Sequence, residues 1–310
     1  MNVVTITLSP AFDIHCQLPE LIPSKEHLAV ISSRDVGGKG INISRVLHAN
    51  DIPSTALVVV GAENQKEFLE SLSNEEISYR SFSAKGRIRE NITLHTKDGK
   101  ETRISFSSPV ASQDDLWKQI EEALQATVTM DTVVTLTGRV PDGISIDSIK
   151  ETFLDLNARS VKTVIDSKSF TLDDLIACRP WLIKPNEEEL EQYMGKKASS
   201  ACEAVEMAQA LHAAGINNVM ISLGAQGAVL VCNEGCYHAA PPSAEVKSTV
   251  GAGDSAIAGF LVGLWQGLTA SKRLALSVAF GTAACMIDGT AAPKPEDISK
   301  IIQSINVINI

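Results

Sequence analysis

Ser248-Thr249-Val250-Gly251-Ala252-Gly253-Asp254-Ser255-Ala256 is the stretch on which the fold turns. Two glycines stand directly before a run of small and apolar residues, 256–266, that reads as a helix. Backbone N–H groups converge at such a helix start, where the macrodipole is positive, so the segment predicts an anion site. Asp254 sits inside it, either as a cap of the helix or as a base beside the anion. The same letters satisfy Gly-x-Gly-x-x-Ala, the dinucleotide fingerprint. That reading fails on two counts. An Asp in the turn would oppose a pyrophosphate, and the fingerprint belongs after the first strand of its βαβ unit, not late in a chain of 310 residues.

Upstream, short β-rich runs alternate with longer helical patterns. Residues 3–8, 56–60, 132–137, 162–166, 181–184 and 219–223 read as strands, and 41–50, 114–126, 146–158 and 202–214 as helices. That alternation predicts right-handed βαβ units and a parallel sheet covered on both faces. Residues 28–35, and the pair 91–96 and 101–106 around Lys97-Asp98-Gly99-Lys100, alternate polar and apolar instead. They predict a small antiparallel flap. From about Gly251 the chain reads as almost all helical, ending in a short apolar tail. No linker rich in Pro, Ser or Gly divides the chain, so one domain spanning 1–310 is expected.

Hydrophobic residues make up 44% of the chain and charged residues 21%, an ordinary globular balance. Lys plus Arg number 27 against 37 Asp plus Glu, which disfavours nucleic acid and anionic membranes as partners. No apolar run reaches the ~18 residues of a membrane span, and the first residues read as a strand rather than a signal segment, so a cytoplasmic protein is expected. The six cysteines form no framework, which predicts free thiols. Cys232-x3-Cys236-x-His238 is the one metal-like cluster. It falls on a hairpin with no second ligand pair nearby, so a zinc site is not expected.

Three further segments carry chemistry. Gly37-Gly38-Lys39-Gly40-Ile41-Asn42 is a glycine-rich helix entry with a cation and an amide at its mouth; lacking Ser or Thr after the lysine, it is no Walker A loop. In Ile183-Lys184-Pro185-Asn186-Glu187-Glu188-Glu189 a strand ends and acidic residues open a helix, where the dipole favours them. Ser222-Leu223-Gly224-Ala225-Gln226-Gly227 is a strand followed by a tight turn into another strand.

Taken with Thr7-Leu8-Ser9-Pro10-Ala11-Phe12-Asp13, these segments resemble, in order and over nearly the whole chain, the ribokinase-like sugar kinases of the PfkB family. The resemblance implies an α/β fold: a three-layer α/β/α sandwich with a mostly parallel central sheet and a small β-sheet lid, its strands from about 12–36 and 88–107. Within the family, Arg87-x-Arg89-x-Asn91-Ile92 and the 248–255 segment look most like the ketohexose-phosphate kinases, 1-phosphofructokinase ahead of tagatose-6-phosphate kinase. The implied activity is ATP-dependent phosphorylation of a ketohexose phosphate, fructose 1-phosphate foremost. Tagatose 6-phosphate and fructose 6-phosphate are alternative acceptors, and a non-catalytic sugar-phosphate sensor is an alternative of another class.

The resemblance also implies roles. Asp254 would be the base, and Gly251, Ala252 and Gly253 the backbone donors to the transferring phosphoryl group. A helix start tends to lower the pKa of such an Asp. Asp13, Gly38, Lys39 and Asn42 would hold the sugar. Lys184, Asn186, Ser222, Gly224, Gly227 and Thr249 would hold ATP, with Glu189 reaching Mg2+ through water. Arg89 and Arg103, on the flap, are candidates for the acceptor's phosphate. Arg139, in Thr137-Gly138-Arg139-Val140-Pro141, departs from the Gly-Ser-Leu-Pro usual in the family: either it is a third such contact, or the acceptor differs from the usual one of these kinases. A homodimer through the lid is expected, because the flap would leave Ile31, Ile92, Leu94, Ile104 and Phe106 partly exposed.

Overall fold

The computed structural model describes residues 1–107, 115–287 and 289–310. The chain opens with β1 (Asn2–Thr7), β2 (Ala11–Leu18) and β3 (Val30–Gly37), enters α1 (Lys39–His48), and continues through β4 (Ser54–Gly61), α2 (Gln65–Asn74) and β5 (Tyr79–Ala84). Then come β6 (Arg89–Thr96), β7 (Glu101–Ile104), α3 (Leu116–Thr127), β8 (Thr132–Thr137), α4 (Ile146–Ala158), β9 (Lys162–Asp166), α5 (Leu172–Cys178) and β10 (Leu182–Ile183). The last part carries α6 (Glu187–Met194), α7 (Ala201–Ala213), β11 (Asn218–Ser222), β12 (Ala228–Cys232) and β13 (Gly235–Ala240). It closes with α8 (Ala252–Trp265), α9 (Ala270–Cys285), α10 (Pro295–Ile302) and β14 (Asn306–Asn309). The helix expected from Asp114 starts at Leu116; Asp114 itself lies outside the described residues.

The large sheet has the order β14-β13-β12-β11-β10-β9-β8-β1-β4-β5. Its strands from β5 to β11 are parallel, and the last three are antiparallel. Along the central strands successive side chains enter opposite layers, as a period of two requires. Val4, Ile6, Val134 and Leu136 pack with Ile120 of α3 and Phe153 of α4. Val3 and Val133 pack with Ile43 of α1, Phe260 of α8 and Phe280 of α9. Burial on both faces explains why these strands read as unbroken apolar runs. Among the described residues no helix is long and apolar enough to cross a membrane.

From β1 the sheet grows one way through β4 and the other way through β8, so a crevice opens at the carboxyl ends of β1 and β8. Such switch points are where open α/β sheets bind ligands. A small sheet of order β3-β2-β6-β7 stands beside this crevice.

Three features differ from the sequence expectation. The small sheet is not wholly antiparallel, because its central pair, β2 and β6, is parallel. β2 leaves the carboxyl end of β1 and β6 that of β5, and since β1 and β5 run the same way their continuations do too. β10 keeps two residues of the expected four, set between Pro180 and Pro185, which lack the N–H a ladder needs. The apolar tail is a strand, β14, paired to the edge of the large sheet at β13.

Candidate active site

A cleft of about 1320 Å³ lies between the carboxyl ends of the parallel strands and the small sheet. Every site residue predicted from the sequence, from Asp13 to Asp254, lines it. Two glycine-dependent approaches build its floor. Gly38 holds φ at 144°, and a Cβ there would lie 2.6 Å from Thr7 Cγ2, so only glycine lets α1 start against the end of β1. Gly251 is the left-handed N-cap of α8, with φ at 78°. Among the described residues no side chain caps that helix. Ala252 N–H leans on Thr249 O at 3.4 Å, a long contact.

Asp254, in the first turn of α8, is buried but does not cap its own helix. Its Oδ2 accepts from Asn42 Nδ2 on α1 at 2.8 Å. Burial pushes its carboxyl up to about 6, Asp166 adding to the rise while Lys39, the Asn42 hydrogen bond and Lys184 oppose it. The downward shift expected from a helix start is overturned, because desolvation outweighs the helix end and the nearby lysines.

Asp166, the last residue of β9, was missed as a site residue. Its carboxylate accepts from Lys39 Nζ at 2.8 Å and lies 3.8 Å from Lys184 Nζ. Burial alone would raise its pKa, but Lys184 and Lys39 hold it below the usual carboxylate range. Lys39 is correspondingly held above the usual lysine range: burial works against its charge, and Asp166 and Asp254 more than offset this. Lys184 Nζ also lies beside the start of α8, within 3.1 Å of where a Gly253 Cβ would stand. The only sequence signal for Asp166 is an acidic residue ending an apolar strand.

Across the cleft the small sheet presents a cationic face. Asp13 on β2 accepts at Oδ1 from Asn91 Nδ2 at 2.8 Å and Arg103 Nη2 at 3.1 Å. Arg89 on β6 donates to Ser9 O and Phe106 O at 3.3 and 3.2 Å. Burial lowers the Arg89 pKa; Asp13 opposes that, and Arg103 and Arg139 add to it. Three guanidinium groups thus share one end of the cleft. Arg139, beyond β8, is exposed and makes no hydrogen bond or ion pair among the described residues.

At the other end, Asn186 caps α6 in a reciprocal pair: Glu189 N donates to Asn186 Oδ1 at 2.8 Å, and Asn186 N to Glu189 Oε2 at 3.1 Å. Ser222 ends β11, and Gly224 and Gly227 bracket the turn into β12, closed by Leu223 N donating to Gly227 O at 2.8 Å.

The pfkB family carbohydrate kinase model matches residues 16–297. The chain belongs to the pfkB family of carbohydrate kinases. It is an ATP-dependent sugar kinase. The 1-phosphofructokinase of Escherichia coli (strain K12) is 34% identical over 278 residues, covering 90% of this chain and 89% of that one. The 1-phosphofructokinase of Haemophilus influenzae is 30% identical over 311 residues, covering 100% and 99%. Phosphofructokinase-2 from Escherichia coli, solved in complex with substrates and products, matches with a TM-score of 0.90 at 25% identity, over 98% of this chain and 99% of the other.

The kinase cleft is polar in a telling way. Thr7 Oγ1, Ser9 Oγ, Arg89 Nε, Asn91 Oδ1 and Thr137 Oγ1 are buried there without hydrogen-bond partners among the described residues. Buried polar atoms are rarely left unsatisfied, so these leave hydrogen-bonding capacity along the cleft wall.

Proposed function

We propose that this kinase transfers the γ-phosphoryl group of ATP to a ketohexose phosphate, with fructose 1-phosphate the preferred acceptor and fructose 1,6-bisphosphate the product. The observation that carries this reading is the placement of three arginines, Arg89, Arg103 and Arg139, at one end of the cleft that holds Asp254 at its floor. A neutral sugar has no use for three guanidinium groups. A phosphate does, because the planar fork binds it bidentately. The identities to 1-phosphofructokinases support the same acceptor.

The chemistry follows from the arrangement. The acceptor hydroxyl oxygen bonds to the γ-phosphorus, the bond from that phosphorus to the ADP oxygen breaks, and the hydroxyl proton passes to Asp254. Gly251, Ala252 and Gly253 offer backbone N–H groups to the transferring phosphoryl oxygens, where fixed donors lower the barrier without reorganising. Lys39 and Lys184, paired to Asp166, keep positive charge beside that point. Asp13, Asn42 and Gly38 orient the sugar. Lys184, Asn186, Ser222, Gly224, Gly227 and Thr249 line the nucleotide half. Magnesium, when bound with ATP, offsets phosphate charge. Glu189, a hard oxygen donor whose Oε2 accepts from Asn186 N, would hold it through water.

The whole chain, 1–310, is read as one kinase domain with the small sheet as its lid. Leu28, Val30, Ile31, Ile104 and Phe106 leave that lid at 92, 68, 63, 42 and 49% exposure. A second copy of the chain covers this face. Light scattering at micromolar concentration is expected to give twice the chain mass of 33.1 kDa; the mass of a single chain would refute the dimer. The cytoplasm, where free thiols such as Cys16 and Cys178 stay reduced, suits the reaction.

Two measurements test the reading. With ATP and magnesium, kcat/KM is expected to rank fructose 1-phosphate above fructose 6-phosphate and tagatose 6-phosphate. A leading rate with either of the others would reassign the acceptor. The base must be ionised to work, so kcat should rise with pH through about 6 and level above it. A flat profile between pH 5 and pH 8, with chemistry limiting, would remove Asp254 from that role.

A further inference from the structure

Arg45, on α1 one turn beyond Asn42, is tied to four parts of the molecule. Its Nη2 donates to Val36 O, at the root of the small sheet, at 2.9 Å, and to Glu75 Oε1 at 3.1 Å. Its Nη1 donates to Asn42 Oδ1 at 3.0 Å and to Thr290 O at 3.2 Å. Thr290 in turn lies against Gly251, with its Cγ2 3.6 Å from where a Cβ on that glycine would be. The Arg45 side chain is 13% exposed and its guanidinium is held between Glu75 and these carbonyls, so it has little freedom to turn elsewhere.

The Asn42 contact has a chemical consequence. A guanidinium has five donors and no acceptor, so the end of the Asn42 amide that meets it must be the oxygen. The nitrogen then points the other way, where it donates to Asp254 Oδ2 at 2.8 Å. We propose that Arg45 is a positioning residue for phosphoryl transfer, fixing the Asn42 amide so that its N–H end faces the Asp254 carboxylate. This rests on the reading of Asp254 as the base. Without Arg45 the amide is free to rotate by half a turn and present Oδ1 to Asp254. An oxygen there is compatible only with the protonated carboxyl, the form that cannot accept the hydroxyl proton. The Asn42 hydrogen bond is among the influences that hold the Asp254 pKa down against burial, and turning the amide reverses its sign. The other charged groups facing Asp254 are Lys39 on α1, Asp166 at the end of β9 and Lys184 beyond β10. On α9, packed along α8, Arg273 meets Gly263, near the other end of α8.

The test is the acid limb of the kcat–pH profile for the full-length enzyme with saturating ATP, magnesium and fructose 1-phosphate. Arg45→Met is expected to move the limb up by about one pH unit, so that kcat near pH 6 falls by up to tenfold while kcat near pH 8.5 stays close to wild type. Arg45→Lys, which still reaches Asn42 Oδ1 with a donor, should recover part of the shift. In an Asn42→Ala background, Arg45→Met should move the limb no further. An unmoved limb, or the same added shift in the Asn42→Ala background, would overturn the proposal. If Arg45→Met does not fold by circular dichroism, Glu75→Gln, which loosens the anchor of Arg45, takes its place. It should shift the limb in the same direction by less, and no shift with it counts against the proposal. Asp254→Asn separates the two ideas: loss of turnover there with an unmoved limb in Arg45→Met defeats the positioning role alone, whereas full turnover in Asp254→Asn defeats the base and the positioning role together.

Discussion

Asp254→Asn is expected to lower kcat by roughly 10²–10⁴-fold, the range for loss of a general base, with far smaller changes in KM for sugar and ATP. The amide has nearly the same shape, and its oxygen still accepts from Asn42 Nδ2, as the Asp254 carboxylate does at 2.8 Å. What disappears is the proton acceptor. The substitution should also raise the melting temperature at pH 7.5, and the sign follows from linkage. A carboxyl whose folded pKa is raised to about 6 from an ordinary 3.8 favours the folded state most below pH 3.8. That contribution fades as pH rises through 6, so at pH 7.5 the ionised Asp254 is a cost that the neutral amide avoids. A slower and more stable enzyme is the expected pair of results. Near-normal kcat would reduce Asp254 to a structural group, and a lower melting temperature would point to a damaged fold as the source of any rate loss.

Arg139→Ser should raise KM for the phosphorylated sugar by roughly 10- to 100-fold and leave KM for ATP nearly unchanged. The reasoning starts from the free state of this guanidinium. Arg139 stands exposed just past the end of β8 with no ion pair among the described residues, and its charge is felt by Arg89. Three guanidinium charges stand there against the single carboxylate of Asp13, an excess of like charge that an anion offsets. A phosphate that does so gains one charge-assisted contact of about 1.5–3 kcal/mol, which is what the serine would remove. Arg139→Lys should restore only part of it, since an ammonium cannot make the two-point fork. Steady-state KM values for both substrates in the two variants decide the matter. If the sugar KM of Arg139→Ser equals that of wild type, the arginine does not touch the acceptor.

Much of the site was legible because its parts are local. The 248–256 segment encodes a glycine turn and a helix start within nine residues, and the structure puts Gly251 at the cap and Asp254 in the first turn. Asn186, the cap of α6, and Glu189 in its first turn stand three apart, the spacing of a reciprocal cap. The buried parallel strands announced themselves as apolar runs, and Arg103 fell on the small sheet as the alternation over 101–106 required, while β6 starts two residues ahead of the alternating run and so takes in Arg89.

What was not legible depends on parts of the chain brought together only by folding. Asp166 looked like the end of a strand, and its meeting with Lys39 and Lys184 exists only because β9 and β10 deliver their carboxyl ends beside α1. The raised pKa of Asp254 was misjudged in sign, since a sequence shows the helix start but not the burial that outweighs it. The parallel pairing of β2 with β6 follows from where each leaves the large sheet, which neither segment records. Four residues of β14 are too few to distinguish a strand from a tail.

The most direct test is to mix the purified kinase with ATP, magnesium and fructose 1-phosphate and to follow phosphorus by nuclear magnetic resonance. ADP and a new phosphate ester on C6 of the sugar should appear in equal amounts, and neither should appear with Asp254→Asn on the same time scale. Tight binding of the sugar phosphate with no ADP from fructose 1-phosphate, fructose 6-phosphate or tagatose 6-phosphate would contradict the assignment and mark the chain as a sugar-phosphate sensor.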